Sequence, residues 1–113
     1  MNYPLYDIPY LVREPNDSYM SAKRHEIEVR NQAIVDDYFM DFNSYWTLIG
    51  GDTNYADRKA AAETALDVAA KKNEIPIIRV KYCLRWYYQE AVRRKKYDFL
   101  IKFPPEQEHI VHL

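Results

Sequence analysis

The residues of this chain with the widest chemical range are His109, His112 and Cys83, together with the aspartates Asp36, Asp37 and Asp41. Imidazole and thiolate are zinc ligands, but zinc sites recur as closely spaced ligand pairs. Here two histidines stand in a terminal stretch and one thiol lies far upstream, so the pattern predicts no metal. Asp37 and Asp41 share a helical face at one-turn spacing, as carboxylates do in di-metal bundles, yet no Glu-x-x-His element accompanies them. They read as a solvated or partner-facing acidic patch. Cys83 lies among basic and aromatic residues that can lower a thiol pKa, but no histidine is near it in sequence, and it reads as a buried structural cysteine. Gly50 and Gly51, adjacent and the only two glycines, exclude both the Gly-rich phosphate loop and the dinucleotide fingerprint. With no nucleophile and base pair either, the sequence predicts no enzyme activity, no catalytic residues and no cofactor.

What remains is recognition chemistry. Lys71, Lys72, Arg79, Lys81, Arg85, Arg93, Arg94, Lys95, Lys96 and Lys102 are interleaved with Tyr82, Trp86, Tyr87 and Tyr88. Such a set pairs phosphate contacts with base stacking in nucleic-acid binders, and a basic second arm of a helical hairpin looks like a helix-turn-helix. The chain as a whole is slightly acidic, however, and packing explains aromatic stripes more simply. The sequence therefore predicts a protein interface at Tyr82, Trp86, Tyr87, Tyr88, Arg93, Arg94, Lys95 and Lys96, with Tyr6 and Tyr10 contributed from the N-terminal stretch.

The element that must position this set runs from Ala60 to Lys96 and reads as two helices joined by a corner at Asn73-Glu74-Ile75-Pro76. In the first, Ala62, Ala65, Leu66 and Ala69 recur at three- and four-residue steps, a stripe of small side chains that lets a neighbour approach closely. In the second, Ile77, Val80, Leu84, Tyr87, Tyr88 and Ala91 form one stripe while Ile78, Tyr82 and Trp86 form another, so two covers are required. Strict alternation from Ile78 to Trp86 is also a strand pattern. Helix is favoured by the absence of Gly and Pro between Pro76 and Pro104, by the helix formers that follow, and by a basic cluster suited to a helix C-terminus. Pro76 fits a first-turn position.

Earlier in the chain, prolines at 4, 9 and 15 predict an extended arm over residues 1–15 that must lie on a surface. Asn16, Asp17 and Ser18 offer N-caps for a helix with Ile27, Ile34, Tyr38, Phe42, Tyr45 and Ile49 on one face and Lys23, Arg24, Glu26, Glu28, Arg30 and Gln32 on its solvated side. Unbroken, it would span about 45 Å at roughly 1.5 Å per residue, so a break is expected near Asp41 to Ser44. Gly50-Gly51 closes that segment, and Asp52, Thr53 or Asn54 caps the next. The organisation expected is an arm (1–15), an all-α domain (16–103) and a tail (104–113), with Ile110, Val111 and Leu113 able to dock.

The 113 residues make one domain, and 48% hydrophobic with 29% charged residues argues for an ordinary globular chain rather than disorder. No apolar run approaches the roughly 20 residues of a membrane span. One cysteine suits a reducing compartment, and the N-terminus is a poor signal or transit peptide, so any organelle signal is expected to have been removed or to be internal. At 15%, aromatic residues are abundant enough to suggest either burial in a partner or a thin core filled by large side chains. Residues 1–70 hold 6 Lys/Arg against 12 Asp/Glu, whereas residues 71–113 hold 10 against 5. Opposite poles imply two differently charged neighbours, or one pole resting on the other.

In order and spacing, Asp37-Tyr38-Phe39, Trp46-x-Leu48-x-x-Gly51, Ala65-Leu66-x-x-Ala69, Asn73-Glu74-Ile75-Pro76 and Ile78-Arg79-Val80 resemble the nuclear-encoded subunit Va (or VI) family of mitochondrial cytochrome c oxidase. The match covers about residues 37–82. The chain is one residue short after Pro76 and one short between Phe39 and Trp46, and the aromatic, basic helix after Lys81 lies outside the family's pattern. The resemblance implies a right-handed superhelix of short helical hairpins. It implies a non-catalytic accessory subunit of the respiratory chain, peripheral on the matrix side of the inner membrane, serving assembly and stability of an electron-transport complex without haem or copper of its own. Its partners would be other subunits. A helical adaptor or inhibitor of another assembly and a small nucleic-acid-binding module remain the alternatives.

Overall fold

The structure, a computed structural model, describes residues 9–48 and 55–94, apart from the side chains of residues 45–48 and 55–58. Three helices make the fold: α1 (Tyr19–Leu48), α2 (Tyr55–Lys72) and α3 (Ile77–Arg93), each packed on the other two. Among the described residues there is no strand, so the alternation in α3 does not produce one. The chain is all-α.

Ser18 is the N-cap of α1. Its hydroxyl accepts the Ser21 amide at 3.1 Å, and its own amide is held by Asn16 Oδ1 at 2.9 Å. The break expected near Asp41 to Ser44 does not occur. Nothing in that stretch removes a backbone donor, and the Ser44 hydroxyl donates to the Met40 carbonyl one turn back, at 3.1 Å, instead of capping a new helix. The 30 residues of α1 therefore run unbroken and account for the molecule's longest dimension of 47 Å.

Ile34, Tyr38 and Phe42 face inward as the spacing predicts, joined by Val35 and Phe39. Opposite these large side chains lie Ala61, Ala62, Ala65, Leu66, Ala69 and Ala70 of α2, and the small residues leave room for the rings. Tyr38 and Phe39 meet edge to face at 5.1 Å, and Phe39 reaches Tyr87 of α3 at 6.4 Å. From α3 come Val80, Cys83, Leu84, Tyr87 and Ala91. Each fully buried large apolar side chain contributes roughly 1.5–3 kcal/mol. Ile77, expected in this stripe, is exposed in the first turn beside the corner.

That corner is a Schellman closure. The Ile75 amide donates to Ala70 O at 3.0 Å and the Glu74 amide to Lys71 O at 3.2 Å, with Glu74 left-handed at φ 56. Ile75 packs on the core behind it. Pro76 is the N-cap of α3, not its first-turn residue, and its carbonyl accepts the Arg79 amide. Asn73 Nδ2 donates to Asp37 Oδ2 at 3.0 Å, tying the corner to α1.

The solvated side expected for α1 is wrong at two positions. Glu28 and Gln32 are buried, because residues 9–13, without regular secondary structure, lie along that face. The Leu11 amide donates to Gln32 Oε1 and the Arg13 amide to Glu28 Oε1, each at 3.0 Å, while the Arg13 carbonyl meets His25 Nδ1 at 2.9 Å. Tyr87 Oη donates to the Pro9 carbonyl. Two residues of extended chain advance about 6.6 Å and four of helix about 6 Å, so alternate main-chain groups of the segment meet side chains one turn apart. Leu11 enters the core. Ile27, expected inward, is 48% exposed although Ile34 and Tyr38 on the same face are buried.

Candidate functional site

Of the α3 residues expected at an interface, Tyr82 is 51% exposed and shares its face with Ile78, 46% exposed. The opposite side of α3 is sealed by α1 and α2 together. Trp86 and Tyr88 are half-buried and lean on the core. Tyr87 must be corrected: at 1% exposure it is a core residue, its ring near Phe39 and its hydroxyl on Pro9, because the 80, 84, 87, 91 ridge points between α1 and α2. Arg93 is exposed and donates to Glu90 Oε2 at 2.6 Å, and Arg94 Nε lies 3.4 Å from the same carboxylate. Tyr10 is exposed on the segment that lies along α1. Tyr6, Lys95, Lys96, His109 and His112 lie outside the described residues, as do the tail residues Ile110, Val111 and Leu113.

The buried thiol of Cys83 is pushed up by burial, and the nearby Arg79 and Arg30 pull it back only partly. Its Sγ approaches Asn31 Oδ1 at 3.5 Å. A thiol raised in this way is a poor nucleophile. Asp37 and Asp41 do not form a free acidic patch: Lys72 reaches them at 3.8 and 3.7 Å. Burial pushes the Asp41 carboxyl up, with Lys72 opposing and Asp37 reinforcing. Among the described residues no group of three or more His, Cys, Asp or Glu is placed to hold a metal, and no helix is long and apolar enough to cross a membrane.

Sequence reasoning missed the other feature of this side of the molecule. Between the N-terminal half of α1 and Trp86 lies an open pocket of about 340 Å³. Met20 and Ile27, 74% and 48% exposed, form its apolar lining with Trp86, and Arg13, Lys23 and Arg24 its charged rim. The signal available was the pair Met20 and Ile27, apolar and two turns apart. No family model matches the chain, and neither a curated protein nor a solved structure matches it.

Proposed function

We propose that the chain is a non-catalytic interaction subunit that docks on a larger assembly through the face of α3 bearing Ile78 and Tyr82. The observation that carries this reading is the exposure of Tyr82 and Ile78 side by side on a helix whose other face is already covered. Large apolar side chains grouped at a surface mark contact sites, and tyrosine is enriched at the centre of such contacts. Trp86, half-buried, belongs to both core and surface.

The particular assembly favoured is mitochondrial cytochrome c oxidase, with this chain peripheral on the matrix side of the inner membrane, and that choice rests on the ordered residue set alone. Within it, Tyr38, Phe39, Ala65, Leu66, Ala69 and Val80 are core residues, so the likeness speaks to helix packing first and to partner choice only through the fold. A superhelix of hairpins preceded by an extended arm belongs to the same proposal, with α2 and α3 as one hairpin. Arg79, Lys81 and Arg85 on the same helix as Tyr82 favour nucleic acid as the second reading.

Recovery of partners by tagged protein from mitochondrial extract tests this. Wild type is expected to bring down the haem-copper oxidase core, and Tyr82→Ala to bring down less while melting at the same temperature. Recovery without respiratory-complex subunits overturns the oxidase assignment, and undiminished recovery by Tyr82→Ala overturns the docking face. Salt-dependent capture of an oligonucleotide by the isolated chain supports the second reading instead.

A further inference from the structure

The pocket between α1 and Trp86 has a chemistry of its own. Its floor is Met20, Ile27 and Trp86; at about 340 Å³ it stands near the lower end of small-ligand sites, roughly 300–1,000 Å³. That suits one anchoring side chain with its neighbours. Three cations, Arg13, Lys23 and Arg24, and one carboxylate, Glu28, also line it, and the cations differ in what already holds them. Arg13 is already engaged: its guanidinium donates to Glu28 Oε2 from Nε at 3.0 Å and from Nη2 at 2.5 Å, and from Nε to Oε1 at 3.3 Å. Lys23 stands 3.9 Å from Glu26, both side chains exposed, and such pairs contribute little. Arg24 approaches Glu28 only to 4.0 Å, donates from Nη2 to Ser21 Oγ at 3.4 Å, and has a buried Nε without a hydrogen-bond partner. The rim is therefore positive in excess, with Lys23 and Arg24 weakly held.

We propose that this pocket binds an acidic peptide segment of a partner protein, seating one apolar side chain on Met20, Ile27 and Trp86 and pairing one or two flanking carboxylates with Lys23 and Arg24. The inference rests on reading the chain as a docking subunit and adds the chemistry of what docks. A carboxylate can accept from the Nη groups of Arg24, whose recorded bond from Nη2 to Ser21 Oγ is long at 3.4 Å, and from the Lys23 ammonium. Nucleic acid fits less well, because it needs a row of phosphate contacts, whereas this site offers two weakly held cations beside an apolar floor, with the Glu28 carboxylate also in its lining.

The test uses the full chain and a fluorescein-labelled synthetic amphipathic peptide of glutamate and leucine carrying one phenylalanine, read by fluorescence polarisation. Saturable binding is expected, weakening with salt and falling about ten-fold or more in Lys23→Glu and in Ile27→Glu. Both residues are exposed, so both variants should melt as wild type does. Lys23→Glu should in turn gain affinity for the lysine version of the peptide. Titrating a Trp46→Phe chain, which keeps Trp86 as its one tryptophan, should shift the emission as the peptide binds. Equal binding of the lysine peptide by wild type, unchanged binding by both variants, or stronger capture of a single-stranded oligonucleotide overturns the proposal. If the peptide fails while Tyr82→Ala still loses partners in the extract experiment, only the pocket is refuted; if both fail, the docking reading goes with it.

Discussion

Glu28 sits where burial alone would push its carboxyl up, yet the guanidinium and amide of Arg13, with the charge of Arg24, outweigh that and hold it below the usual carboxylate range. A carboxyl lowered in the fold contributes stability that is present above its unfolded pKa and lost as pH falls through the folded value. Asp41 has the opposite sign: its raised carboxyl favours the fold at acid pH and loses that contribution as pH rises through the folded value. Urea midpoints measured against pH should therefore show Glu28→Gln losing part of the wild-type acid sensitivity. Asp41→Asn should be more stable than wild type at neutral pH, with the gain disappearing in acid. An Asp41→Asn chain no more stable at neutral pH would mean that Lys72 compensates the aspartate fully. The sequence did not mark Glu28 as buried or Asp41 as partly buried. A periodicity assigns polar side chains to solvent, and what draws Glu28 and Gln32 inward is the main chain of residues 9–13, whose unmet hydrogen bonds leave no trace in a hydropathy pattern.

Among the elements, the corner between α2 and α3 carries a residue ill suited to its conformation. Glu74 is left-handed, which costs a side-chain-bearing residue about 1–2 kcal/mol and glycine much less. Glu74→Gly should raise stability by up to about 1 kcal/mol, glycine's greater freedom in the unfolded chain offsetting the rest; a fall in thermal midpoint would show that the glutamate has a compensating contact. At the other end of the chain, Ser18→Ala should cost about 1 kcal/mol through the lost cap on α1, read by the same melts. The helices themselves were legible: the alanine stripe and the Asn73 to Pro76 corner locate α2 and the start of α3 because spacing and breakers act locally. The break in α1 was expected from length, and length is a weak argument once tertiary contacts hold a helix at several points. For α3 the exposed stripe at Ile78 and Tyr82 was legible too. Which stripe the core would take, and hence that Tyr87 is internal, depended on α1 as a second cover, which no local pattern specifies.

At the scale of the whole molecule, one cysteine lies in the core. A disulfide reagent should therefore modify the native chain only as fast as the helices part, and Cys83 labelling should accelerate in step with urea-induced loss of helix. Rapid labelling of the fully folded chain would place a separate local opening at that helix contact. The bond from Tyr87 to Pro9 spans 78 positions of sequence, and it has a kinetic meaning. The segment can find its seat only after α1 and α3 already lie together, because its partners Glu28 and Gln32 belong to one helix and Tyr87 to the other. It should dock late, on the native side of the folding barrier. Leu11→Ala is then expected to remove roughly 2–5 kcal/mol almost wholly by hastening unfolding, leaving the refolding limb of the chevron in place. A slowed refolding limb would mean instead that the first residues of this chain help to nucleate the helices that later enclose them.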